Sequence, residues 1–202
     1  MVSLPNHIYL GADKDKWLQF QNFYEEISRY VKSKKPGLKL AAEATLPGII
    51  GPAQEYIKEL NRHSDVIGVS YYPMKENGDV KEPAALHQDL DDLVKLYESK
   101  PIYLYQFGYP SSKLLKSSPD KQAEFIHEAF KAWDKHAERI IMIDFTWLYD
   151  TPEQSIKEIS RYYGINTRKF TEFIGTLGLC THDGKEKPAF KTLQAEARTR
   201  GW

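Results

Sequence analysis

Five times along the chain, a short apolar run is followed by a longer segment or loop in which apolar residues fall at helical spacing. No other feature limits the fold as much. The runs are Ile8–Gly11, Leu38–Thr45, Val66–Pro73, Pro101–Phe107 and Ile140–Tyr149. Strands in such runs need crossovers of a dozen or more residues to lie parallel, and helices supply them. The run VIGVSYYP is apolar almost throughout, as expected of a strand covered on both faces. The order predicts an α/β fold with a parallel sheet and flanking helices.

The intervening segments carry helix signals. Phe20, Phe23, Tyr24, Ile27, Tyr30 and Val31 share one helical face, and Pro36-Gly37 ends that segment. Leu86, Leu90, Leu93 and Tyr97 form a second stripe. Ser118 before Pro119 reads as an N-cap with proline in the first turn. Thr151-Pro152-Glu153-Gln154 predicts a capping box. The tail adds loop and helix. Lys32–Lys35 closes the first helix, where lysines favour the negative end of the helix dipole.

Composition removes several classes of function. Basic and acidic residues balance at 28 each, so no charge excess favours nucleic acid or an anionic membrane. No apolar run approaches the ~20 residues of a membrane span. The single cysteine, Cys180, permits no internal disulfide. As written the chain fits a reducing cytosol; a leader and N-terminal part ahead of Met1 would make it secreted. The six histidines are scattered without metal-ligand spacing. No glycine-rich phosphate loop follows a strand. The expectation is a protein with no metal or cofactor.

Five stretches taken together carry a resemblance. SDVIGVSYYP (64–73), KPIYLYQFGYPSS (100–112) and IYLGADKD (8–15) resemble the sixth, seventh and fourth strands of (β/α)8-barrel glycoside hydrolases of clan A. IIMIDFTWLYD and the tail LGLCTHDGKEKPAFKTL resemble the eighth strand and closing segment. The nearest in look are arabinogalactan endo-β-1,4-galactanase-like enzymes. The resemblance implies a partial barrel of five parallel β/α units, corresponding to strands 4–8, in one domain spanning residues 1–202. The first three units would be absent, since a full barrel takes roughly 250 residues. Open sheet edges would then be expected, and a homo-oligomer is one way to cover them.

The resemblance also places two catalytic positions, and this chain departs from the pattern at both. Retaining glycosidases of this kind use two carboxyl groups about 5–5.5 Å apart. At the acid/base position, Asn-Glu in the family is Ala12-Asp13 here, with a carboxyl one methylene shorter. At the nucleophile position stands Gln106, whose amide keeps the shape of glutamate but has no charge with which to attack carbon. The implied function is a glycoside hydrolase-like protein, inactive or weakly active, that binds oligo- or polysaccharide. Two alternatives stand beside it. One is an active hydrolase using Asp13 with another carboxylate, Glu43 or Asp144. The other is a non-enzymatic half-barrel assembly protein. Glu43, Tyr71, Tyr72, Tyr109 and Trp147, with Tyr149 near them, fall at or near predicted strand ends, where such barrels hold ligands and where aromatic faces pack on sugar rings.

Overall fold

The computed structural model of the protein describes residue 11, residues 13–97 and residues 99–202. The first expected strand, Ile8–Gly11, lies outside the described residues except for Gly11, which is in a turn.

Four strands are described: β1 (Glu43–Thr45), β2 (Ile67–Tyr71), β3 (Ile102–Phe107) and β4 (Ile140–Phe145). They form one sheet in sequential order, all parallel, and the sheet is not closed. Glu43 pairs with Gly68, Ala44 with Val69 and Thr45 with Ser70. Ile67 N donates to Pro101 O where β2 meets β3. Ile102 N donates to Arg139 O at the start of the β3–β4 pair, and Thr146 N to Phe107 O beyond its end.

The helices are α1 (Lys14–Lys34), α2 (Leu46–Ile50), α3 (Gln54–Arg62), α4 (Ala85–Leu96), α5 (Pro119–Lys135), α6 (Glu153–Tyr163), α7 (Arg168–Gly175) and α8 (Pro188–Thr199). Helices fill each crossover, as the alternation of runs requires. The described residues fall into two compact units. The first takes in the described residues up to Tyr71, with those of Asp91–Gln106 and Ala137–Asp144, and holds nearly all of the sheet; the second takes in Tyr72–Leu90, Phe107–His136 and Phe145–Trp202.

In the first unit, every residue of β2 is buried, as its unbroken apolar run predicts. Ile57 and Leu60 of α3 are buried as well. Strand β1 is shorter than its sequence suggests. Upstream of it, side chains replace strand partners: Asp65 Oδ2 accepts Leu40 N, and Ser64 Oγ accepts Ala42 N. Downstream, Thr45 caps α2 through its hydroxyl, which accepts Gly48 N.

Helix α1 is turned relative to its expected apolar stripe. Its buried anchor is Trp17, which stacks on Tyr56 at 5.4 Å and donates its indole N–H to Gly11 O. Tyr24 reaches Ser64 Oγ at 3.0 Å. Phe23, Ile27 and Tyr30, expected on the covered face, are exposed. Lys32 near the helix end pairs with Asp65, a specific partner beyond the dipole that its position suggested.

In the second unit, Phe107, Tyr109 and Phe125 stack at 4.9 Å, and Phe145 stacks on Phe130. Helix α8 packs on α5, and its end is fixed by Arg200, which lies over the Phe130 ring and pairs with Asp134 and Glu196. Ser118 does cap α5, accepting Lys121 N at 3.1 Å. The capping box expected at Thr151 does not form. Pro152 holds the N-cap position of α6 with no side-chain cap bond, because the helix begins one residue later than the motif requires. Ser118→Ala is expected to lower stability by about 1 kcal/mol, the usual cost of losing such a cap. A urea midpoint that does not move would refute the cap's contribution.

Candidate functional site

Paired residues of parallel strands point to the same side of the sheet, and the pairing therefore sorts side chains by face. Ala44 and Val69 share one face, together with Ala42, Ile67 and Tyr71, and all five are buried. Glu43, Thr45, Gly68 and Ser70 share the other. Of these, Glu43 and Thr45 are only half-buried.

Strand β3 joins the half-open face through Tyr105, whose ring lies against Gly68. A Cβ built at 68 would sit 3.0 Å from Tyr105 Cε2 and 3.2 Å from Ala41 Cβ. Tyr103 meets Tyr105 edge-on at 6.0 Å. Alternation along β3 then breaks. Ile102 and Leu104 are buried between half-buried Tyr103 and Tyr105, but Gln106 is also half-buried and Phe107 is buried again. This break leaves two adjacent side chains, Tyr105 and Gln106, half-buried near the carboxyl end of the strand.

Glu43 accepts a hydrogen bond from Ser70 Oγ. The Tyr105 phenol is pushed above its usual pKa, first by burial and then by Tyr103, Glu43 and Tyr24. It therefore remains a neutral O–H donor at neutral pH.

Asp13 serves as the N-cap of α1. Its Oδ1 accepts Asp15 N and Lys16 N, each at 3.1 Å, and Lys16 Nζ stands 3.4 Å from Oδ2. The Lys16 backbone N–H, above all, holds its carboxyl below the usual range. A general acid needs a pKa raised toward the working pH, so this environment suits capping better than proton donation. Asp144 is exposed on β4.

The remaining aromatic candidates divide by burial. Tyr71 has 1% of its surface exposed and lies on the covered face, so it offers no ring to a ligand. Tyr109 is equally buried, stacked on Phe125, with its hydroxyl donating to Lys81 O at 2.7 Å. Both are buried in the core, whereas the expectation had them at a ligand-holding strand end. The second unit keeps Tyr72, half-buried with its ring edge-on to Phe173 at 5.1 Å, and Trp147, which is exposed. Leu148 and Tyr149 beside Trp147 are exposed too. Their backbone is held by Leu179 N on Trp147 O and Cys180 N on Leu148 O. A groove of about 300 Å³ in this unit is lined by Met74, Ile165, Phe170 and Phe173, with Lys169 at its side held by Asp79 Oδ1 and Asn77 O.

Among the described residues, no three His, Cys, Asp or Glu side chains are grouped as a metal site, and no helix is long and apolar enough to cross a membrane. Burial pushes the Cys180 thiol up, which suits an inert thiol. Sequence reasoning missed Gly68, Ser70, Tyr103 and Tyr105. The available signal was the glycine inside a strand run, which often marks a close approach of another group.

No protein-family profile matches the sequence, and neither does any curated protein sequence. The fold does match solved structures. A Bacteroides uniformis β-glucuronidase 2 superposes with a TM-score of 0.64 at 11% identity, over 90% of this chain and 20% of that one. A Dictyoglomus thermophilum β-D-glucuronidase gives 0.61 at 16% identity, over 88% and 29%. A GH2 β-galacturonidase from Eisenbergiella tayi, solved with galacturonate, gives 0.59 at 14% identity, over 89% and 30%. The chain thus spans between a fifth and a third of the length of these enzymes. The likeness is one of fold, to part of a glycoside hydrolase. These neighbours are glucuronidases and galacturonidases, and they lend no support to the galactanase-like family in particular.

Proposed function

We propose that the protein binds carbohydrate on a glycoside hydrolase-like sheet and lacks normal hydrolytic turnover. The observation that carries this reading is Gln106, an amide near the carboxyl end of β3 where the resemblance calls for an attacking carboxylate. An amide has neither the charge nor the nucleophilicity for the covalent step. Asp13, the other catalytic position, is committed to capping α1. What remains is suited to holding a sugar: Tyr105 and Tyr103 beside the Glu43–Ser70 pair, with hydroxyl and carboxylate groups to fix orientation.

Calorimetry of the intact chain against galactans, glucans and mannans tests the proposal, with β-1,4-galactan included for its link to the galactanase-like resemblance. The expected result is measurable binding of at least one glycan with no reducing sugar released above a blank. Sugar release that disappears in Asp13→Ala would favour the active-hydrolase alternative. A folded chain that binds nothing in the panel would overturn the proposal.

A further inference from the structure

We infer that the groove between the 74–80 hairpin and α7 is a subsite for the apolar substituent of a glycoside, so that the chain prefers sugars carrying an aromatic ring to the same sugars without one. The inference rests on the carbohydrate-binding reading and names the class of ligand.

Both walls come from stretches that follow strands, where (β/α) folds gather their ligand-binding loops. One wall is the hairpin after β2. Met74 pairs with Val80 across it, Lys75 N donates to Asp79 O, and Gly78 N donates to Lys75 O. The other wall follows β4 and α6, and presents Ile165, Phe170 and Phe173. A clamp joins the two. Lys169 Nζ donates to Asn77 O and to Asp79 Oδ1, each at 2.7 Å. Its stem passes Gly78, where a Cβ would sit 3.1 Å from Lys169 Cδ. Phe173 is set in turn by Tyr72, edge-on at 5.1 Å, and a Cβ built on Gly108 would lie 3.0 Å from Tyr72 Cε1. The groove is therefore held in shape by the protein's own contacts.

The lining fixes what can enter. Among the described residues that line it, the two polar side chains are already engaged. Lys169 is paired with Asp79, and the Thr167 hydroxyl caps α7 by accepting Phe170 N at 3.2 Å. A sugar ring placed inside would bury hydroxyls against Met74, Ile165, Phe170 and Phe173 with few partners, and each such hydroxyl costs free energy. A charged group would meet a cation that is already neutralised. An uncharged apolar ring has neither problem. A dry apolar cavity of about 150 Å³ already holds benzene, so the groove of about 300 Å³ takes an aromatic ring with room to spare. Phe170 and Phe173 offer that ring aromatic contacts, and Met74 a polarisable thioether. The sugar, which needs hydrogen-bond partners, stays outside the groove.

The test compares phenyl and methyl β-glycosides of galactose, glucose and mannose by calorimetry with the intact chain. The phenyl form of at least one sugar is expected to bind about tenfold tighter than its methyl form, the gain from burying most of a ring. Ile165→Asp, at an exposed position on the groove wall, is expected to bring the two forms within about threefold and to leave methyl glycoside binding in place. Phe170→Ala is a second variant if the first does not fold. Equal binding of phenyl and methyl forms to the unaltered chain would overturn the inference and leave carbohydrate binding standing. So would a gap that persists in a folded variant, or phenol alone binding as tightly as its glycoside. Binding of panel glycans without binding of any phenyl glycoside would also remove the inference alone. If no glycoside and no panel glycan binds, the carbohydrate reading falls and the inference falls with it.

Discussion

Lys187→Met is expected to lower stability by about 3–5 kcal/mol at neutral pH, the usual cost of breaking one side of a buried ion pair. Lys187 is buried, with Nζ 2.6 Å from Asp150 Oδ1, 3.2 Å from Ser111 Oγ and 3.4 Å from Thr176 O. Burial already pushes the Asp150 carboxyl above its usual value of 3.8, against the opposing pull of Lys187. Without the ammonium, nothing offsets that burial as strongly, and the carboxyl rises further. For an acid whose folded pKa lies above its unfolded one, the protonated form favours the folded state. Its stabilising effect is full below the unfolded value and is lost as pH rises through the folded one. The variant should therefore be least stable at pH 7 and recover part of the loss as pH falls toward 4. Urea unfolding at several pH values checks this. A loss under 1 kcal/mol, or one that grows on acidification, would contradict the assignment. Replacing both partners, as Lys187→Met with Asp150→Leu, should recover much of the stability, since an apolar pair leaves no orphaned charge.

Gly178→Ala should be still more damaging, by more than about 4 kcal/mol, which is the range where a variant often fails to fold. A Cβ at this position would fall onto Asp150 N and Tyr149 C, and lie 2.6 Å from Cys180 O. All three atoms are backbone, so no flexible side chain can move aside. The segment involved is held by the Tyr149–Cys180 bridge and by Asp150 N on Cys180 O. Gly184→Ala makes an informative contrast. Gly184 has φ +88 with open space around it, so its cost is conformational and should be about 1–2 kcal/mol. Thermal melts of the two variants give the comparison. Equal shifts would mean that the Gly178 contact is not as close as the structure shows.

Features set by local chemistry were legible before the structure. The β2 run announced a doubly covered strand, and Ser118-Pro119 announced a helix start, because burial pattern and capping are read within a few residues. The amide at Gln106 was legible in the same way, because its inability to attack carbon goes with the residue wherever it sits. Features that depend on rotation or register were not legible. The apolar positions of α1 allow several rotations, and contacts of Trp17 with Tyr56 and Gly11, 39 and 6 residues away in sequence, select the one that exposes Phe23, Ile27 and Tyr30. Strand β1 begins late because Ser64 and Asp65 take the backbone groups of Ala42 and Leu40.

The amino-acid order by itself determined a series of parallel β/α units and the amide at position 106, since periodicity and functional-group chemistry travel with the residues. Only the tertiary structure decided which tyrosines remain available and where Glu43 turns. Tyr71 and Tyr105 look alike in sequence, but a strand has two faces and one is covered by packing. The pairing of Glu43 with Gly68, made across 25 residues of chain, places a carboxylate and an aromatic ring on one face of the sheet, where both are half-buried.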